Sequence, residues 1–248
     1  MTEKLPTAAK GSRLISAVVA PAVQLWLRSQ VEQIEHLQVQ IEAGDRQILS
    51  GYIPQVRVGA RQAVYQGLHL SQIQLLGQGI QINLGQVIRG KPLQLLQPIP
   101  VEAELSLHQA DLNASLAAPL MVNAVADLLN QLLSADPSLV DVLGPQPQSL
   151  QDLQILLEAE QLTLGMSVQT EPGKMIPFAL RTQLSLASPR QLRFDSPQWL
   201  TRPNAKRGFA LEGLAGFVID FGPEVSLTEI TLTAGELFCR GCITILPA

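Results

Sequence analysis

Apolar and polar residues alternate with a period of two over most of this chain, and that alternation restricts it to strands with one buried face. Leu37, Val39 and Ile41 alternate with Gln38, Gln40 and Glu42. Val56, Val58, Ala60 and Val64 alternate with Arg57 and Arg61, Ile73 and Leu75 with Gln72 and Gln74, and Ile80, Ile82 and Leu84 with Gln81 and Asn83. After Pro98, Ile99, Val101, Ala103, Leu105 and Leu107 take one face; Glu102, Glu104, Ser106 and His108 take the other. The second half repeats the pattern with Leu153, Ile155 and Leu157, then Leu162, Leu164, Met166 and Val168. A Pro172-Gly173 turn leads into Ile176, Phe178, Leu180, Thr182, Leu184 and Leu186, and further strands are expected over 209–221, 225–233 and 237–246. Glutamine fills many of the polar positions: the chain has 27. Only 15% of residues are charged, against roughly a quarter in ordinary domains.

Helical spacing interrupts the strands twice. Leu14, Ile15, Val18, Val19, Ala22, Trp26 and Ile34 predict a helix over 13–33, capped by Ser12 and bent near Pro21. Asp111 is placed to cap a short helix through Leu116, and a second long helix spans 119–134. Its polar stripe is narrow (Asn123, Asp127, Asn130 or Gln131), so its wide apolar face requires cover from a sheet, a lipid or a membrane. Pro137, Gly144, Pro145 and Pro147 mark 137–149 as a loop or linker. Runs of strands with few helices indicate an α+β fold, not alternating βαβ units. The expected architecture is a long N-terminal helix and a second apolar helix packed on a highly curved, mostly antiparallel sheet. Residues 1–11 form a polar tail, and 12–248 a single domain.

Charge and composition exclude some functions. A net charge of −4 and 4% aromatics leave neither the basic surface nor the stacking platforms that nucleic acids need; Arg202, Lys206 and Arg207 are a small basic spot. The apolar stretch 14–27 is short of the roughly 20 residues that span a bilayer. It reads as an uncleaved amphipathic helix, with a signal or anchor as the alternative.

The chemical motifs are weak. Gly85 to Lys91 matches phosphate-loop spacing, but Pro92 stands where a serine or threonine belongs, and no long helix follows. Cys239-Arg-Gly-Cys242 lies inside a strand pattern and lacks the second ligand pair a zinc site needs. It reads as two structural cysteines beside a glycine bulge, with a bridge or redox chemistry as the alternative. His36, His69 and His108 show no metal spacing. Glu102 with Glu104, and Glu158 with Glu160, are i, i+2 pairs on wet strand faces. Asn113-Ala-Ser115 fits a glycosylation sequon but sits at the start of a helix. No catalytic residue, cofactor or metal is expected. Leucine, isoleucine, valine and methionine in excess of the covering elements point instead to an apolar groove for acyl chains.

Three stretches carry a family resemblance: Gly51-Tyr-Ile-Pro-Gln-Val-Arg-Val58 with Ala63-Val-Tyr-Gln-Gly67-Leu68; Leu107-His-Gln-Ala-Asp111-Leu-Asn113-Ala-Ser-Leu116; and Gly235-Glu-Leu-Phe-Cys239-Arg-Gly241-Cys-Ile-Thr-Ile-Leu-Pro247. Together they resemble the LmeA-like phospholipid-binding family, and the C-terminal form looks like its cyanobacterial branch. The resemblance implies a fold similar to the tubular lipid-binding (BPI-like) proteins, with phospholipid as the ligand. One branch of the family supports envelope glycolipid assembly, and no residue here specifies that role. The expected function is non-enzymatic binding, or transfer, of phospholipid in a groove between helix and sheet, at a membrane surface and without nucleic acid. The alternatives are a filled-core scaffold and a lipid-modifying enzyme. Leu14, Val18 and Trp26 on the first helix and Leu128 and Leu132 on the second are the candidate lipid contacts. The expected location is cytoplasmic or peripheral to a membrane, with the periplasm as the alternative.

Overall fold

The computed structural model describes residues 19–144, 149–171 and 174–247. Helix α1 (Ala20–Gln30) leads into β1 (Gln33–Glu42), followed by α2 (Asp45–Leu49), β2 (Tyr52–Tyr65), β3 (Leu68–Gln81), α3 (Leu84–Val87) and β4 (Ile99–His108). Three helices come next: α4 (Gln109–Ser115), α5 (Pro119–Ala135) and α6 (Pro137–Leu143). The remainder is β5 (Ser149–Glu158), β6 (Gln161–Glu171), β7 (Lys174–Ser188), β8 (Gln191–Leu200), β9 (Phe209–Ala210), β10 (Val218–Asp220), β11 (Val225–Thr233) and β12 (Glu236–Ile245).

Two curled antiparallel sheets form an α+β architecture. The first has the order β1-β2-β3-β4-β12-β11, and the second β10-β8-β7-β6-β5 with β9 beside β8. The C-terminal strand therefore returns to the first half of the chain: β12 pairs with β4 from Glu236 opposite His108 to Ile245 opposite Ile99. The positive φ of Gln62, Asp152 and Ser196 lies at strand positions where the regular pairing is interrupted. Such irregularities add local twist and help a sheet to curl.

The alternation forecast from the sequence sets which face each strand buries. Val56, Ile80, Ile99 and Val101 are buried on the first sheet, with Val39, Ile41, Val58 and Leu75 half-buried around them. Gln38, Gln40, Gln72, Gln74 and Glu102 turn to the other side. A second cluster is built from α4, α5, α6, the second sheet and β11, centred on Leu129, Leu132, Leu139, Val168, Phe178 and Leu180. The part of the apolar face of α5 that carries Val125, Leu129, Leu132 and Leu133 is thus covered by protein, while Leu120 is exposed. No described helix is long and apolar enough to cross a membrane, and the α4–α5 pair turns by 89° at its break.

The structure corrects several sequence expectations. Helix α1 stops at Gln30, and Ile34 belongs to β1, because Glu32 N–H already bonds to Val64 O at 2.8 Å as the strand pairing begins. The expected helix start at 13–18 lies outside the described residues. Residues 137–143 are helical, since the Asp136 side chain caps α6 by accepting from Ser138 N–H at 3.0 Å. The single strand expected over 209–221 is two short strands separated by a 3-10 turn at Glu212–Leu214. Strand β8 falls outside the strands that the sequence pattern predicts: its alternation breaks at Ser196 and Pro197, where the pairing with β7 also shifts.

Asp111 is the third residue of α4, not its cap; the chain enters the helix at His108. Its carboxylate accepts from the buried Ser71 hydroxyl at 2.6 Å, and Ser71 Oγ accepts from His108 N–H at 2.7 Å. One turn on, Ser115 Oγ accepts from His69 N–H at 2.8 Å. The other face of α4 serves β5, the edge of the second sheet. Asn113 accepts from Ile155 N–H at 2.9 Å and donates to Ile155 O at 2.8 Å, and Gln109 Oε1 accepts from Leu157 N–H at 2.7 Å. Polar side chains four apart on each face thus tie both sheets through one short helix. This also explains the sequon: the Asn113 amide is consumed by the edge strand. Asn113→Ala leaves both polar groups of Ile155 unpaired, at a cost of about 1–3 kcal/mol for such a site. A fall in Tm of about 2–10 °C is expected by circular dichroism, and an unchanged Tm would show that α4 does not clamp β5.

Candidate functional site

Helix α1 lies across the apolar face of the first sheet. Val19 and Val23 are buried in that cluster, and Ala22, Trp26 and Leu27 pack half-buried against it. Beneath the helix is a wholly apolar space of about 70 Å³. Val23, Trp26 and Leu27 line it from α1, and Val56, Val58, Leu75, Ile80 and Val101 from the sheet as its floor; Ile82, Leu93 and Ile245 also line it. None of the residues lining it carries an ionisable side chain, so it offers an acyl chain dispersion and burial without an unpaired polar group.

A larger hollow, about 730 Å³, lies on the opposite face of the same sheet. Its lining mixes the glutamine rows, His36, Arg57, Arg61, Glu102, Glu104 and Arg240 with apolar residues that include Val58, Leu75 and Leu76. Arg240 pairs with Glu104 at 2.9 Å and Glu229 at 3.2 Å, and Arg57 with Glu42 at 2.5 Å. An acyl tail there would cover charged and amide groups and remove their water, so the larger space is the poorer lipid site.

The sequence-chosen residues separate. Trp26 lines the apolar space. Leu132 is 1% exposed in the second cluster, and Leu128 packs half-buried against that cluster. Leu14 and Val18 lie outside the described residues. The sequence marks the sheet residues of the floor only as strand positions, because alternation identifies a buried face without saying what covers it.

The weaker motifs resolve as structure. Residues 85–91 are a short helix and turn, pinned where the Asn83 side chain donates to Pro92 O at 3.0 Å and accepts from Gln94 N–H at 2.8 Å. Cys239 and Cys242 are free thiols on opposite faces of β12. Burial pushes the Cys239 thiol up to about 11, which keeps it protonated and unreactive near neutrality. A bulge between Leu227 and Glu229 sits opposite Gly241, where a Cβ would strike the Ser226 carbonyl and Leu227 Cα. The Ser185 hydroxyl and Arg193 hold Asp195 below the usual carboxylate range, and the Gly222 N–H and the Gln191 amide do the same for Asp220. Neither lines the apolar space. Among the described residues no group of three His, Cys, Asp or Glu is placed to hold a metal.

A family model described as LmeA-like phospholipid-binding matches residues 10–242, nearly the whole chain. The chain belongs to the LmeA-like phospholipid-binding family. No curated protein and no solved structure matches it. The LmeA-like family is defined by phospholipid binding and is not a known enzyme family. Membership points to lipid as the ligand class of this LmeA-like chain.

Proposed function

We propose that this protein binds phospholipid without catalysis, holding an acyl chain between α1 and the apolar face of the first sheet, and that it exchanges this lipid with a membrane as a peripheral protein. The observation that carries the reading is the wholly apolar space beneath α1 in a chain of a phospholipid-binding family. Each methylene taken out of water contributes about 0.8 kcal/mol. At about 70 Å³ the space is about half the ~150 Å³ cavity that admits a benzene ring. Lipid entry therefore requires α1 to move outward. The helix is suited to that: within it only Val23 is buried, and Leu25 is 71% exposed.

Native mass spectrometry of the purified full chain, with lipid extraction from the same sample, tests the reading. One phospholipid per chain is expected. In a Trp199→Phe background Trp26 is the sole tryptophan, and phospholipid brominated along its tails is expected to quench it. Protein that carries no lipid and takes up no fluorescent phospholipid would instead be a filled-core interaction protein, the reading that the small size of the space favours.

A further inference from the structure

One end of the first sheet repeats the same arrangement in four chain segments. Each places an apolar residue inward and the next one outward: Ile48 then Leu49, Val87 then Ile88, Leu95 then Leu96, Ile245 then Leu246. The inward members join the cluster under α1. The outward members are 63%, 58%, 58% and 56% exposed. The backbone holds these segments together. Ile82 N–H bonds to Gly51 O at 2.8 Å, Leu96 N–H to Gln81 O at 2.9 Å, Ile82 bridges to Leu95, and Ile245 pairs with Ile99. Four large aliphatic side chains at one end of a sheet form a patch that water disfavours.

The charge around the patch is reversed relative to the chain. Residues 43–51 and 82–98 carry Arg46, Arg89 and Lys91, all exposed, against one carboxylate, Asp45; Glu224, at the start of the neighbouring β11–β12 hairpin, adds a second. The chain as a whole is at −4. The patch also adjoins residues that line the apolar space: Ile245 directly precedes Leu246, and Ile82 bridges to Leu95, the neighbour of Leu96.

We propose that this end of the first sheet docks on an anionic phospholipid surface, with Leu49, Ile88, Leu96 and Leu246 entering the acyl boundary and Arg46, Arg89 and Lys91 meeting the headgroup phosphates. The inference rests on the lipid-binding reading and deepens it by naming the end through which lipid passes. Aliphatic residues flanked by cations are what an anionic interface selects. A second copy of the chain would bring the three cations against their like, which disfavours self-association there.

The test is flotation of the full chain with vesicles of phosphatidylcholine alone or with a quarter phosphatidylglycerol. Wild type is expected to float with the anionic vesicles and to be released as salt rises from about 0.05 to 0.5 M. The triple variant Leu49→Ser, Ile88→Ser, Leu96→Ser is expected to bind at least tenfold more weakly. The variant Arg46→Gln, Arg89→Gln, Lys91→Gln is expected to lose the preference for anionic vesicles. Both sets lie on the surface, so the melting temperature should be retained. A second surface serves as comparison: Phe209, 64% exposed, beside Arg202, Lys206 and Arg207. Loss of flotation in a Phe209→Ser, Lys206→Gln, Arg207→Gln variant with full binding by the first triple overturns the assignment. So does a wild type that does not float, or a dimer that the first triple converts to monomer. Protein without co-purified phospholipid refutes the lipid reading itself. Protein that carries lipid while the tip variants float normally refutes only the docking surface.

Discussion

Replacing Val58 and Leu75 together with phenylalanine is expected to reduce co-purified phospholipid by about two orders of magnitude. Both residues are half-buried on the floor of the apolar space, beneath α1. Larger rings there occupy the position proposed for the acyl chain, whether α1 is closed or lifted. Denying four methylenes their contact removes about 3 kcal/mol at 0.8 kcal/mol each, and 1.4 kcal/mol is a factor of ten in affinity. Overpacking itself costs about 1–3 kcal/mol, so a thermal melt must accompany the lipid assay. Leu76→Phe is the control. Leu76 is the neighbour of Leu75 and lines the charged hollow without lining the apolar space, whereas Val58 and Leu75 border both; its replacement should leave lipid content unchanged. Equal lipid loss in both variants would mean general damage to the sheet. Loss in Leu76→Phe alone would move the ligand to the polar face.

The pairing of Leu75 and Leu76 also shows what could be read from the sequence. The period of two assigned Leu75 to the buried face together with Val58, Ile73 and Val101, and these residues do share it. The alternation could not show that one sheet carries β1 to β4 with β11 and β12 while another carries β5 to β10. Strand order depends on pairings distant in the chain, such as Cys239 opposite Leu105, and period-two patterning is the same in either sheet. Irregular places were the least legible. Strand β8 contains Pro197 and a positive φ at Ser196, features that resemble a loop when read one residue at a time. The role of α4 was also hidden. Gln109, Asp111, Asn113 and Ser115 look like helix-start residues, yet each bonds a strand that lies about 40 residues away in sequence.

The same ambiguity applies to the second long helix, and one substitution resolves it. A broad apolar stripe on 119–134 fits a lipid-facing helix and a core helix equally well, because leucine does not distinguish an acyl chain from a packed side chain. Leu132 is covered by the cluster that contains Leu129, Leu139, Phe178 and Leu180. Leu132→Ala is therefore expected to cost about 2–5 kcal/mol, the range for emptying a buried leucine site. For a chain of this length that is about 5–20 °C in Tm. Phospholipid per folded molecule should stay at the wild-type level, since the space under α1 shares no residue with this cluster. A shift below about 2 °C together with lost phospholipid would assign Leu132 to the ligand and place the acyl chain beside α5. A large shift with lipid retained leaves α5 as the support of the second sheet, and α1 as the helix that must yield when lipid enters.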